Sequence, residues 1–592
     1  MRPPTLLLAD PDSPNRFAGY LEEMLRMEGI AWLEVTRDLE SDQALPPLVM
    51  VTAMYLPDDV AERLAAYVRG GGALLSARPA ANLTRALGLP PARLLPEEWS
   101  SRYVLLDPGS EMVAGLPWAE GGVQFMGRPT ALLPDAGEDA YTAPGVVAWI
   151  APFPGQRSRF PAVTAHQIGA GRVVLFAFDP AESAVRQQQG RPEQSSTGAL
   201  PDFDGDTTYR PSDLFLGQLD PALKDVPQAD VQRTLLLRAV EWLTESQPLP
   251  RLWRFPANAP AAAFFDGDSD AMDLEDFHNA LSICDRYDAP FATYLKPEAV
   301  ELVDASAEAA ARARGHRFGP HPWAGPQPTV EELRGALEAN CAVFAARYGY
   351  RPRIHRGHWL VWPGWVDHAR SLQGVGIEMD ANYTAGWGFK GGYVNGTGLP
   401  ARFVDEDGKS LDVYEQSTIS TDDGWLLPKG GLPAHTLAQA ISRSYDMIDA
   451  AVERYHTVYH PYFHPRPLKG GGAIPYPTRP WLDSILAHCR LRGIPYLDAE
   501  RWLDWNTARR GVTLTTLHQT ESGVECSLHA AKAIDELTVL LPLPLNSTAV
   551  AVAGSGGGGN HIVRRHGRLY ASTVVSLRAG EELVVSLATV ST

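Results

Sequence analysis

The sequence predicts an α/β protein in three parts, on three observations. Short apolar runs alternate with helical periodicity over 1–250, a second series of strands and helices fills 251–510, and period-two strands without long helices occupy 511–592. The 592 residues are several times the roughly 100–200 of one domain.

In the first part, the runs 5–9, 47–52 and 73–76 alternate with helical patterns at 17–28 and 57–69, the signature of βαβ units around a buried parallel sheet. VVAWIA at 146–151 and VVLFAF at 173–178 continue it, and a helix through 229–245 closes it. The segment 181–228 is rich in Gln, Ser, Pro and Asp, with weak periodicity, and reads as a long surface excursion. Prolines at 245–256 mark a boundary near 250. The second part runs from APAAAFFDGDSD at 259–270 to IPYLDAERWLDW near 508, a length that suits a (β/α) barrel. The third is expected to be a small β-sandwich, with GSGGGGN at 554–560 as a hairpin loop.

Composition narrows the functional classes. The formal charge of −18 repels a phosphate backbone, so nucleic acid is not expected as a partner. The four cysteines have neither CxxC nor disulfide-framework spacing and read as buried thiols. No apolar run of about 18 residues occurs and the start lacks a signal-like segment, so the expectation is a chain that is not membrane-bound and is cytoplasmic by default, with homo-oligomerisation left open.

The most informative stretch is 261–270, an apolar strand ending in Asp266, Asp268 and Asp270. Acids at the C-terminal end of a barrel strand stand where the active sites of such folds lie. Four segments follow at distances that bring them to the same rim: APFATYLKP at 289–297; RARGHRFGPHPW at 312–323 with His321; a long helix from 329 leading to His355, Arg356 and His358; and VGIEMDANYT at 375–384 with Asp380. HTVYHPYFHP at 456–465 adds His460 and His464.

These pieces resemble the polysaccharide deacetylase (NodB-homology) family of carbohydrate esterases over about 255–508. FFDGD resembles the first motif, which implies Asp266 as general base; Gly267 stands at the place of the metal-binding Asp, whose role Asp268 takes one residue later. GHRFGPHPWAG resembles the second motif, with His321 as the first metal histidine and Gly325 at the place of the second. IHRGHW implies Arg356 as the residue that orients the base. EMDANY offers Asp380 as the fourth-motif acid, and TVYHPYF offers His460 as general acid, kept protonated by Asp380.

Apart from the family, a catalytic zinc needs about three N/O ligands and an open position. Asp268 and His321 supply two. The third is His358, His464 or Asp270, with His358 favoured because one strand points 356 and 358 to the same side. The cofactor expected is therefore a divalent metal, zinc first. Aromatic rings crowd the candidate loops, and Trp323, Trp359, Tyr383 and Trp387, with His464, are the expected contacts of a carbohydrate substrate. The loop 382–398 reads as a rim or lid, and Trp362 and Trp365 suit core or cleft equally.

GGGALLSARP at 70–79 and GAGRVVLFAFDPAES at 169–183 make the first part look like the flavodoxin-like, class I glutamine amidotransferase-like fold. That activity needs a cysteine nucleophile, and none precedes Cys284. PDFDGD at 201–206 repeats the FDGD letters without a preceding strand; its acids are a weak calcium candidate. The leading expectation is a metal-dependent deacetylase of a polysaccharide or oligosaccharide. Its rivals are a glycoside hydrolase pairing Asp266 or Asp268 with Asp380, and a non-catalytic glycan-binding protein.

Overall fold

The computed structural model describes residues 3–7, 16–37, 45–52, 55–132, 145–192, 205–385, 389–429, 431–520, 523–544 and 561–588. The first region is built on a nine-stranded sheet. Five neighbours are parallel, in the order Glu34–Thr36, Thr5–Leu7, Leu48–Val51, Ala73–Ala77 and Gly171–Phe176. Leu48–Val51 and Ala73–Ala77 are buried at every position, as strands covered on both faces must be. The sheet is mixed rather than parallel throughout. From Gly171–Phe176 outward, the strands Pro161–Ile168, Val146–Ala151, Tyr103–Leu106 and Val123–Gln124 pair antiparallel. The cause is local: Gly169 at φ +61° closes a tight hairpin between Pro161–Ile168 and Gly171–Phe176, and a hairpin forces antiparallel neighbours.

The expected surface excursion after 180 is corrected. Pro180–Gln189 is a mostly buried helix, capped by the Asp179 carboxylate, which accepts from Ala181 N at 2.8 Å. It packs beside the helix Gln228–Leu243. Its amphipathic pattern is masked by Gln187, Gln188 and Gln189, which are buried through hydrogen bonds rather than by apolar character.

In the central region short parallel segments follow one another around a ring. Ala262–Ala263 continues into Asp266–Asp268, which neighbours Ala292–Leu295 and then Arg317–Pro320. Ile354–His355, Met379–Asp380 and Ser410–Glu415 follow, and Ser420–Thr421 leads to Val458–Tyr459 and Pro461–Tyr462. Tyr462 pairs with Asp266 and closes the circle. Where ladders lapse, single bonds span the seam: His358 N donates to Pro322 O at 3.0 Å, and Ile419 N to His460 O at 2.9 Å. Gly319 is required there, since a Cβ would lie 2.2 Å from Ile354 O.

The C-terminal strands form two antiparallel sheets. Val512–Thr520, Gly523–Ala530 and Glu582–Ala588 make one; Ile534–Pro542, Arg568–Leu577 and His561–Arg565 belong to the other. Residues 554–560 lie outside the described residues. The edge of the second sheet is Arg251–Leu252, paired with Val539 and Leu540, so the proline-rich link near 250 is itself a strand of the C-terminal part. Nearby, buried Glu28 meets Arg233, Arg251 and Arg254. Burial alone would raise its carboxyl, but the three guanidiniums hold it below the usual range. Cys284, Cys489 and Cys526 are buried, and Cys341 is half-buried. Among the described residues, no helix is long and apolar enough to cross a membrane.

Candidate active site

The strand Asp266–Asp268 sends residues 266 and 268 to one side and Gly267 to the other. No side chain fits at 267, where a Cβ would sit 1.9 Å from Phe463 O. A side-chain ligand is thus excluded at that position, and the neighbouring residues 266 and 268 carry the carboxylates.

Asp266 is fully buried. Its Oδ2 accepts from Arg356 Nη2 at 2.7 Å and lies 3.0 Å from His460 Nε2. Burial would raise its carboxyl, but Arg356 and His460 hold it below the ordinary value. The Arg356 guanidinium also donates to Thr418 Oγ1 at 2.7 Å and lies over the Tyr462 ring. His460 turns Nδ1 toward the carbonyls of Ser417 and Gln416, at 3.0 and 3.2 Å.

A cavity of about 220 Å³ opens at the C-terminal rim. Asp268, Asp270, Arg356, Tyr462, His464 and Asp423 face it, with Arg210, Trp359 and Lys429. Neither Asp266 nor His460 is among the described residues that line it. Asp266 and His460, the expected base and acid, form a fully buried charge cluster with Arg356, which itself reaches the cavity.

His321 is fully buried. Its Nδ1 lies 2.8 Å from Arg356 O, an acceptor only, so Nδ1 carries the proton and Nε2 presents a lone pair. That lone pair faces Asp268 Oδ2 at 3.2 Å and Asp270 Oδ1 at 3.6 Å. Three acceptors converging in this way require a cation among them or a second proton on the ring. Burial opposes that proton, yet Asp268 and Asp270 prevail and push His321 up to about 9. Asp270 Oδ1 is 3.0 Å from His358 Nδ1, and His358 Nδ1 is 3.3 Å from His321 Nε2. Lys296 adds a cation at this edge, with Nζ 2.7 Å from Asp270 Oδ1 and 3.4 Å from His358 Nε2. Burial pushes His358 down, and its charged neighbours His321 and Lys296 add to this against Asp270.

His464 faces the cavity from the opposite side. Nδ1 is 2.7 Å from Asp422 Oδ1, and Nε2 is 2.8 Å from the Tyr462 hydroxyl and 3.7 Å from Asp268. The Tyr462 hydroxyl donates to Asp268, so it accepts from His464, and both ring nitrogens then carry protons. Burial disfavours the charge, but Asp422 and Asp268 raise His464 well above its ordinary value. Three groupings have metal-binding proximity among the described residues: Asp270, His321 and His358; Asp268, Asp270 and His464; and Asp422, Asp423 and His464. Of the expected trio, His321 and His358 share a grouping with Asp270, whereas Asp268 groups with Asp270 and His464 and meets His321 alone of the trio. Gly325, at φ +95° on an open loop, has no side chain to offer, and the imidazole beside His321 is that of His358.

Other expectations are corrected. Asp380 does not meet His460; it is buried with Oδ1 2.7 Å from His355 Nδ1, on the adjacent strand. Tyr383 is 1% exposed, packed against Trp362, Phe403 and Phe215, so it belongs to the core and not to a substrate surface. Trp362 and Trp365 are core as well. Trp387 lies outside the described residues, as do Asp202 and Asp204. Trp323 and Trp359 are 38% and 49% exposed, edge to face at 4.9 Å, and form the aromatic rim. Sequence reasoning missed Lys296, Arg210 and the Asp422–Asp423 pair. The available signal for the pair was two acids directly behind the N-capping Thr421.

No family model matches the chain, and no curated protein matches it. Among solved structures, the chain is similar to a protein from Mycobacterium smegmatis assigned as a polysaccharide deacetylase: 15% identity, TM-score 0.35, 46% of this chain and 98% of that one. A protein from Pseudomonas aeruginosa PAO1 with the same assignment shares 12% identity at TM-score 0.32, over 42% and 92% of the two chains. A cold-adapted β-galactosidase from Rahnella sp. R3 shares 17% identity at TM-score 0.22, covering 30% of this chain and 28% of its own.

Proposed function

We propose that the protein is a metal-dependent hydrolase that removes acetyl groups from an N- or O-acetylated oligosaccharide or polysaccharide. The observation that carries this reading is the locked tautomer of His321, whose Nε2 lone pair faces Asp268 and Asp270 across a gap suited to a cation. Aspartate with two imidazoles is a donor set that fits zinc, and His321 and His358, with one carboxylate of the Asp268 and Asp270 pair, are the residues that would hold it. A metal so bound supplies Lewis-acid activation of water and of the acyl oxygen.

The chain's own groups account for the remaining steps. The carboxylate of the Asp268 and Asp270 pair that is not committed to the cation takes the proton of the attacking water. Arg356, fixed by Asp266 and Thr418, presents positive charge at the cavity wall, where an oxyanion develops. His464, with both nitrogens protonated and Nδ1 held by Asp422, gives its Nε2 proton to the leaving amine or alkoxide as the acyl bond breaks. Water's oxygen goes to acetate and the proton to the sugar. The aromatic pair at the rim, Trp323 and Trp359, suits the apolar face of a sugar ring. The glycosidase alternative based on Asp380 loses its second carboxylate to the buried pair with His355.

Metal content of the full-length protein and acetate release from an N-acetylated amino-sugar oligomer test the reading together. The expected outcome is near-stoichiometric metal with acetate release, both lost in His321→Ala. Reducing ends without acetate would replace it with a glycosidase. Oligomer binding with neither product would make the protein a glycan-binding one.

A further inference from the structure

The first α/β region has no cysteine to serve as an amidotransferase nucleophile, yet part of it reaches the barrel's cavity. Residues 205–215 leave the first region and run between two loops of the barrel rim. Tyr209 N donates to Pro326 O at 3.0 Å, and Tyr209 O accepts from Trp362 N at 2.8 Å, so one residue clamps the loops that carry Trp323 and Trp359. Next to it, Arg210 is 4% exposed and lines the cavity. Its Nε donates to Trp359 O at 3.0 Å, and its Nη1 and Nη2 bind Asp206 at 2.7 and 2.9 Å. With its charge met by Asp206 in a two-bond fork, the guanidinium is a support for the rim and not a seat for an anionic substrate.

The rim needs such a support. Trp359 and Leu360 both adopt positive φ, +55° and +58°, a region L-residues enter only when their surroundings hold them there. Trp359 is also half exposed, so its own packing does little to fix it.

We infer that the 205–213 strap makes the first region a working part of the barrel's site, with Arg210 as the positioning residue that presents Trp359 to a sugar flanking the acetylated one. The inference rests on the carbohydrate reading. It deepens the substrate class to an oligomer that extends beyond the cavity, since about 220 Å³ is small for more than one sugar unit.

The test compares Arg210→Ala and the milder Asp206→Asn with the full-length parent. On an N-acetylated oligomer, KM rises roughly tenfold while kcat stays within about twofold, the size of one loosened aromatic contact. On a small acetyl ester that cannot reach the rim, kcat/KM of Asp206→Asn, a position outside the cavity lining, is unchanged, and so is its metal content. Hydrogen exchange at the Trp362 amide speeds up in both variants. An unchanged KM for the oligomer, or an equal fall on both substrates, overturns the inference. If the parent releases no acetate at all, the deacetylase reading fails separately. Retention on immobilised oligomer and exchange at Trp362 then decide the strap, which stands if both change in the variants and falls if either does not.

Discussion

His460 and His464 lie four residues apart on one stretch of chain and end on opposite sides of a wall. His460 sits behind it against Asp266 and Arg356, where among the described residues it does not line the cavity. His464 sits in front, between Asp422 and Asp268, facing the cavity. Asp266 and Asp268 divide in the same way on the neighbouring parallel strand. A single step of the barrel strand thus separates groups sealed inside the ring from groups that face the cavity. The same residue types, read from sequence, are interchangeable; their depth in the ring is what assigns them.

The comparison can be broken most decisively at Asp266. Asp266→Asn leaves the buried Arg356 without its counter-ion and should cost about 3–5 kcal/mol in denaturant unfolding. Full stability with abolished turnover would instead return Asp266 to the front as a base. Next in size, His321→Ala or Asp268→Asn should lower acetate release about a hundredfold or more, more than loss of a supporting partner costs, with metal content falling in parallel. Retained metal would detach these residues from the ligand set.

Asp422→Asn tests the cavity-facing histidine. With its Nδ1 partner weakened, His464 should support turnover about 10–100-fold more slowly at unchanged metal content. A silent Asp422→Asn combined with an inactive His460→Gln of normal stability would reverse the assignment of the two histidines. Smallest is Tyr383→Phe. It removes a buried hydroxyl that has no hydrogen-bond partner among the described residues, so stability should move by less than about 1 kcal/mol and KM not at all. A clear rise in KM would put Tyr383 back at the substrate.

Much of this was legible in the sequence because it is encoded locally. An apolar strand running into three acids, His321 between glycine and proline loops, and the order of the strands and helices each follow from short-range patterns, and the structure brings His321 next to Asp268 on one side and to His358 on the other. What was not legible depends on register and on distant chain. Whether Asp266 or Asp268 fronts the cavity depends on how far along the ring each lies, and Asp380 meets His355 because two parallel strands align at that residue. Arg210 arrives from a segment separated by about 150 residues from the loop it holds, and no periodicity announces such a crossing. Tyr383 misled for a simpler reason: a tyrosine in a glycine-rich loop looks exposed, yet three aromatic neighbours enclose it.

The strand Arg251–Leu252 bears on how such a chain can be taken apart. A cut at the proline-rich link looks like a cut between modules, but it would pull an edge strand away from Val539 and Leu540 and part Glu28 from Arg251 and Arg254. Both halves would then carry an open sheet edge or uncompensated buried charge, two features that favour aggregation over independent folding. Recombination of the first region with another barrel would therefore succeed only if the dipeptide at 251–252 and its C-terminal sheet travelled with it.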